Sequence, residues 1–120
     1  EPVDLVGVLG LAREFQVVLI DCLTLWINNL MYDAERMSRE INEDEMEQLC
    51  RRLLKACSRR CGTILFVTNE VGLGIVPDNR LSRRYRDLVG RSNQVIAAAA
   101  HRVVMMVCGL PLELKGPSRN

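Results

Sequence analysis

Apolar residues along this chain follow two alternating rhythms, which predict helices and strands in turn. Leu5, Val8, Leu9 and Ala12 recur at helical spacing, predicting a short amphipathic helix over the first dozen residues. Val17 to Ile20 is a continuous apolar run ending on Asp21, the pattern of a parallel strand buried on both faces. Leu23, Trp26, Ile27, Leu30 and Met31 then return to helical spacing. Tyr32 to Ile41 is polar and mixed in charge, and reads as a mobile connection. Asn42, with Glu45 three residues on, has the form of a helix start. Met46, Leu49, Cys50, Leu53, Leu54 and Cys57 make one stripe on that helix, and Gly62 ends it.

A second apolar run, Thr63 to Thr68, leads into Asn69-Glu70-Val71-Gly72-Leu73-Gly74 and then a long helix whose buried face is marked by Leu81, Tyr85, Leu88, Val89, Ile96 and Ala99. The small run Ala97 to Ala100 would allow close packing. Val103 to Cys108 reads as a third strand, with Gly109-Leu110-Pro111 turning the chain toward Leu112 and Leu114. The residues from Gly116 to Asn120 read as a disordered tail. Strands alternating with helices predict a single α/β domain over residues 1–120. Its three runs would be parallel neighbours in one sheet with helices on both faces.

Composition narrows the classes without choosing one. A 120-residue chain that is 48% hydrophobic and 26% charged, with net charge +1, is ordinary globular material, which argues against a general nucleic-acid binder. Asp21 interrupts the longest apolar candidate for a membrane span, and nothing resembles a signal peptide, so a cytoplasmic protein is expected. The five cysteines sit mostly inside apolar patterns, as buried thiols of a reducing compartment do; Cys57 and Cys61 lack the partners a zinc set needs. The chain opens Glu1-Pro2-Val3-Asp4 without an initiating Met, which suggests a processed product or a piece of a longer protein.

Candidate chemistry gathers where strands give way to loops. In α/β proteins ligands bind at the carboxyl ends of strands, and Asp21, Asn69 and Glu70 all fall there. Asp21 is where an acid that holds Mg²⁺ sits in nucleotide-binding proteins; the alternative for Asp21 and Glu70 is a helix cap or dipole partner. Arg80, Arg84, Asp87, Arg91 and Gln94 share one helix face that suits phosphate contacts. Arg84 with Asp87, and Asp87 with Arg91, also have the spacing of plain surface ion pairs. His101, the only histidine, lies near a helix end and reads as structural. The sequence has no GxxxxGK run followed by Ser or Thr, the loop that cradles a triphosphate.

Three segments, VVLIDCLTLWINNLM (Val17 to Met31), VTNEVGLGIVPDNRLSRRYRDLVGRSNQ (Val67 to Gln94) and VCGLPLELK (Val107 to Lys115), resemble the bifunctional adenosylcobinamide kinase and adenosylcobinamide-phosphate guanylyltransferase of cobalamin biosynthesis. The run from Asn69 to Pro77, with Arg86-Asp87, Gly90 and Asn93-Gln94 after it, is the most specific part of the likeness. The resemblance implies a P-loop NTPase-like parallel sheet flanked by helices, here lacking the N-terminal P-loop unit, in an assembly that is often a trimer. It further implies phosphorylation of adenosylcobinamide by a nucleoside triphosphate, then transfer of GMP from GTP through a guanylylated histidine. In that family the P-loop and the histidine precede the segment corresponding to Glu1. The chain therefore looks like the C-terminal two-thirds and is expected to be inactive alone. The resemblance makes GTP, ATP and Mg²⁺ the cofactors, and adenosylcobinamide and its phosphate the substrates. It makes Asp21 the acid for nucleotide and metal, Glu1 a nucleotide contact, and Asn69, Glu70, Arg84, Asp87, Asn93 and Gln94 candidate substrate or phosphate contacts. A missing strand would leave an edge or apolar groove open, so a homo-oligomer is expected. The alternatives are a non-catalytic remnant or interaction module, and another P-loop-like transferase.

Overall fold

The structure, a computed structural model, describes residues 3–116. Its order is α1 (Leu5–Leu11), β1 (Val17–Asp21), α2 (Leu23–Arg36), α3 (Glu43–Ser58), β2 (Thr63–Val67), a 3-10 turn (Val71–Leu73), α4 (Arg80–Ala99), β3 (Val103–Val107) and β4 (Leu110–Lys115). This is the α/β alternation that the two rhythms predict. The ends of the chain, including Glu1 and residues 117–120 of the expected tail, lie outside the described residues.

Local chemistry sets most boundaries. Asn42 accepts from the Glu45 amide at 2.8 Å while the Glu45 carboxylate accepts from the Asn42 amide at 3.0 Å, a reciprocal box that starts α3. Asn79 caps α4 by accepting from the Ser82 amide at 2.7 Å. Gly62 adopts φ +105°, and a Cβ there would collide with the Gln16 carbonyl, which is bonded to the Thr63 amide at 2.8 Å. That close crossing sets β2 beside β1.

Two expectations about local structure change. The connection from Tyr32 to Ile41 is half helix: α2 runs on to Arg36, because Ala34 continues the buried line of Ile27 and Leu30 while the polar residues face outward. Ile41 is itself buried in the core. Leu81 is exposed rather than on the buried face of α4, and Ala98 and Ala99 are also exposed.

The sheet departs further. β1 and β2 are parallel, with Val17 opposite Thr63 and Asp21 opposite Val67. β3 does not join them among the described residues; it pairs antiparallel with β4 in a separate two-stranded sheet. The turn is Cys108-Gly109, both at positive φ, so Leu110 and Pro111 already belong to β4. A hairpin closes through a two-residue turn, whereas a parallel neighbour has to be brought from far along the chain.

Among the described residues, the β1 and β2 strands are also covered on one face only. Ile20 is in the core, and Val18, Ile64 and Phe66 pack against it with Leu23, Ile27, Met46, Leu53, Leu88 and Val89 from the helices. Val17, Leu19, Leu65 and Val67, which alternate with them, are exposed. The radius of gyration, 15.2 Å, exceeds the roughly 13.6 Å of a compact chain this long.

Candidate functional site

Parallel pairing brings both candidate carboxylates to one end of the sheet. Asp21 is the last residue of β1 and stands opposite Val67, the last of β2; Thr68, Asn69 and Glu70 continue from there. The Asp21 side chain is exposed and enters no hydrogen bond or ion pair among the described residues. The N-cap of α2 is Cys22, which makes no side-chain capping bond to the backbone. Asp21 is therefore an available anionic donor at the carboxyl edge, not the cap that the alternative reading assigns.

Behind this edge runs a network that crosses three elements. Asn93, buried on α4, donates from Nδ2 to the Asn69 carbonyl at 3.1 Å and to Glu70 Oε1 at 2.9 Å. Its Oδ1 accepts from the Thr68 hydroxyl at 2.6 Å. Asn69 Nδ2 donates to the Thr24 hydroxyl at 3.1 Å, and that oxygen lies 2.9 Å from Cys22 Sγ. The Tyr85 hydroxyl donates to the Thr24 carbonyl at 3.2 Å, and burial pushes its ionisation upward, so it stays a donor. Asn93 and Asn69 thus face protein partners, and Glu70 is aimed from α4.

The remaining candidates separate. Arg84 donates from Nε and Nη2 to the Ile41 carbonyl, at 2.9 and 2.6 Å, and pairs with Glu40 at 2.7 Å. It clamps the α2–α3 connection onto α4. Arg91 pairs with Glu47 on α3, and Asp87 takes part in no ion pair among the described residues. The helical-spacing pairs of Asp87 with Arg84 and Arg91 are therefore not formed. Both arginines reach across to α3 and its approach, where acids and a buried residue's carbonyl compete better than a solvated neighbour on the same helix. Gln94 is exposed, 3.5 Å from Arg91 Nη1. Glu1 lies outside the described residues. Thr24 and Tyr85 were missed by the sequence reading; the sole signal was their place beside Asp21 and on the stripe of α4.

No group of three or more His, Cys, Asp or Glu side chains that could hold a metal occurs among the described residues. Asp21 offers, at the strand end, a carboxylate with no protein partner among the described residues. That suits Mg²⁺, which generally takes one or two carboxylates and completes its shell with phosphate oxygens and water.

Comparison with known proteins gives a consistent result. The family model for cobinamide kinase / cobinamide phosphate guanyltransferase (CobU) matches residues 1–114. The chain is 41% identical over 106 residues to the bifunctional adenosylcobalamin biosynthesis protein CobU of Escherichia coli, covering 83% of this chain and 59% of that protein. It is 38% identical over 104 residues to the Salmonella typhimurium protein of the same name, covering 82% and 58%. Against the bifunctional adenosylcobalamin biosynthesis protein CobP of Pseudomonas aeruginosa, identity is 40% over 119 residues, covering 97% and 64%. The chain thus spans about three-fifths of the length of these relatives.

Proposed function

This chain belongs to the cobinamide kinase / cobinamide phosphate guanyltransferase family, and we propose that it forms part of a bifunctional enzyme of that kind. The enzyme has a P-loop NTPase-like fold. It transfers a phosphoryl group from ATP or GTP to the hydroxyl of adenosylcobinamide, releasing the nucleoside diphosphate. It then joins GMP from GTP to that phosphate, releasing pyrophosphate. The observation that carries the reading is the unengaged Asp21 carboxylate at the carboxyl end of a parallel strand pair, on the edge where Glu70 also emerges.

Each residue's part follows from its surroundings. Asp21 would hold Mg²⁺, which would supply charge neutralisation to a bound triphosphate. Asp21 orients that bound nucleotide at the strand end. Asn93 holds Glu70 and the Asn69 backbone against α4, so the Glu70 carboxylate keeps one direction toward the edge. Arg84 keeps the α2–α3 connection in place.

The 120-residue chain by itself carries the acid but no GxxxxGK loop, and its one histidine, His101, lies beside β3. It is expected to bind nucleotide weakly and to transfer nothing. Calorimetric titration with GTP at several Mg²⁺ concentrations, with Asp21→Asn alongside, tests this. Mg²⁺ should strengthen wild-type binding, and Asp21→Asn should remove that dependence at a stability cost of no more than about 1 kcal/mol. Binding by Asp21→Asn that keeps its Mg²⁺ dependence would sink the assignment, and GMP found covalently on the isolated chain would overturn its inactivity.

A second reading, an interaction module, is favoured by the exposed apolar face of Val17, Leu19, Leu65 and Val67. The two readings are compatible: we place the protein in the cytoplasm as a homo-oligomer, in keeping with its five free cysteines. No helix among the described residues is long and apolar enough to cross a membrane.

A further inference from the structure

Between β2 and α4 the chain does something costly: it holds apolar side chains in water on a loop that is not slack. Ile75 is 95% exposed, Leu73 74% and Val76 62%. Yet the loop is braced at both ends. Val71 packs on the core, the Leu73 amide donates to the Glu70 carbonyl at 3.1 Å, and the Gly74 amide to the Val71 carbonyl at 3.2 Å. At the far end Arg83 Nη1 donates to the Pro77 and Asp78 carbonyls, at 3.0 and 2.7 Å, and Pro77 fixes its own φ. A loop with no task at its tip would gain by carrying polar residues there.

Its position indicates what the tip meets. The loop begins at Glu70, so the apolar tip rises from the same carboxyl edge as Asp21. A nucleotide's phosphates need the polar part of that edge and gain nothing from Leu73 or Ile75. The other substrate of the proposed reaction is a large macrocycle, with ring methyl groups and a tail that ends in a hydroxyl or a phosphate. Cations stand at the foot of the loop: Arg83 on the loop carbonyls, and Arg86, whose Nε is the nearest atom to the space beside Gly72 and which enters no ion pair among the described residues. An apolar wall with guanidinium groups at its base matches a ring with an anionic tail.

We propose that Leu73, Ile75 and Val76 form the wall against which the corrin ring of the cobinamide substrate lies, with Arg86 directed to its phosphorylated tail. This deepens the function proposed above and rests on it. The loop then separates two recognitions on one edge: nucleotide by Asp21, ring by the tip.

The test is equilibrium dialysis of dicyanocobinamide, followed by its visible absorbance, against the 120-residue chain. Wild type is compared with the double variant Leu73→Ser/Ile75→Ser and with Leu110→Ser, an exposed apolar residue of the hairpin. Thermal melting, GTP binding and sedimentation are run on each. The double variant should lose about tenfold or more in cobinamide affinity, with melting and GTP binding unchanged and Leu110→Ser like wild type. Equal retention by wild type and the double variant would overturn the wall and leave the proposed function standing. No retention by wild type would overturn cobinamide recognition by this chain, and the wall with it. A loss that tracks a change in sedimentation, or one matched by Leu110→Ser, would assign the tip to self-association and refute the proposal.

Discussion

The two faces of the β1–β2 sheet are built from the same kind of residue and have opposite fates. Val18, Ile20, Ile64 and Phe66 meet the helices and enter the core, while Val17, Leu19, Leu65 and Val67, one position away on the same strands, stay in water. Ile20 is 9% exposed and its neighbour Leu19 is 59% exposed. The strand register is identical for both faces, so the difference lies wholly in what is stacked against them. One face has a layer of helices tied together by Arg91 with Glu47 and by Cys50 with Ser92, and the other has none among the described residues. Apolar strands of a parallel sheet are stable as a pattern only when both faces are covered. The exposed face therefore marks where a further layer of the protein, or a second copy, has the most to gain.

The largest expected effect is the direct contrast between the faces. Ile20→Ala should cost about 2–4 kcal/mol in urea titration, through lost burial and the cavity left behind. Leu19→Ala should stay within about 0.5 kcal/mol at low protein concentration. A cost for Leu19→Ala that grows with concentration would mean that copies of the chain bury this face in solution. Equal costs at every concentration would break the comparison, since the face would then be covered within one chain.

The edge that joins the faces should respond next. Asn93→Ala leaves the Thr68 hydroxyl and the Asn69 carbonyl without their buried partner and should cost about 1–3 kcal/mol. Hydrogen exchange sharpens the point: the amides of residues 69–74 should lose protection while β1 keeps its own. Loss of protection spread evenly over the sheet would mean that Asn93 serves general packing and not the edge.

The smallest effect concerns the tie between α3 and α4. Hydrogen bonding to Arg51, then to Arg91, holds Glu47 below its ordinary carboxylate value of 4.5. A folded-state value that is depressed contributes stability above the unfolded carboxylate range, and that contribution fades as pH falls through the lower folded value. Glu47→Gln should therefore lower stability slightly in the neutral region and converge on wild type as pH falls below 4.5, which makes the acid limb shallower; the effect is small because the pair is solvent-screened. An unchanged acid limb would show that the covered layer rests on packing alone.

Much of this was legible in the sequence, for reasons that differ by residue. Asn42 with Glu45 and the stripe of Met46, Cys50 and Leu53 are signals read within one or two turns of chain, and each forms as its spacing predicts; Gly62 does not end α3, which stops at Ser58, but turns the chain into β2. Asp21 at a strand end was legible because an apolar run stopped on an acid. The roles of Arg84 and Arg91 were not, because their partners Glu40, Ile41 and Glu47 lie some forty residues away in sequence. Nor was the placing of Asn93, which reads as one more polar residue on α4 until Thr68, Asn69 and Glu70 are folded against it.

The sequence by itself determined the order of elements as far as β3, the start of α3 and the family. Periodicity, capping chemistry and motif spacing act over a few residues and survive in any arrangement of the whole. Only the tertiary structure decided that β3 pairs with β4 and not with β2, that one sheet face is bare among the described residues, and that the loop from Leu73 to Val76 stands out from the edge that Asp21 occupies. Those outcomes depend on competition between distant partners for the same strand edge or apolar face. The free energy of that competition resides in loop closure and in surface removed from water, which no local pattern encodes.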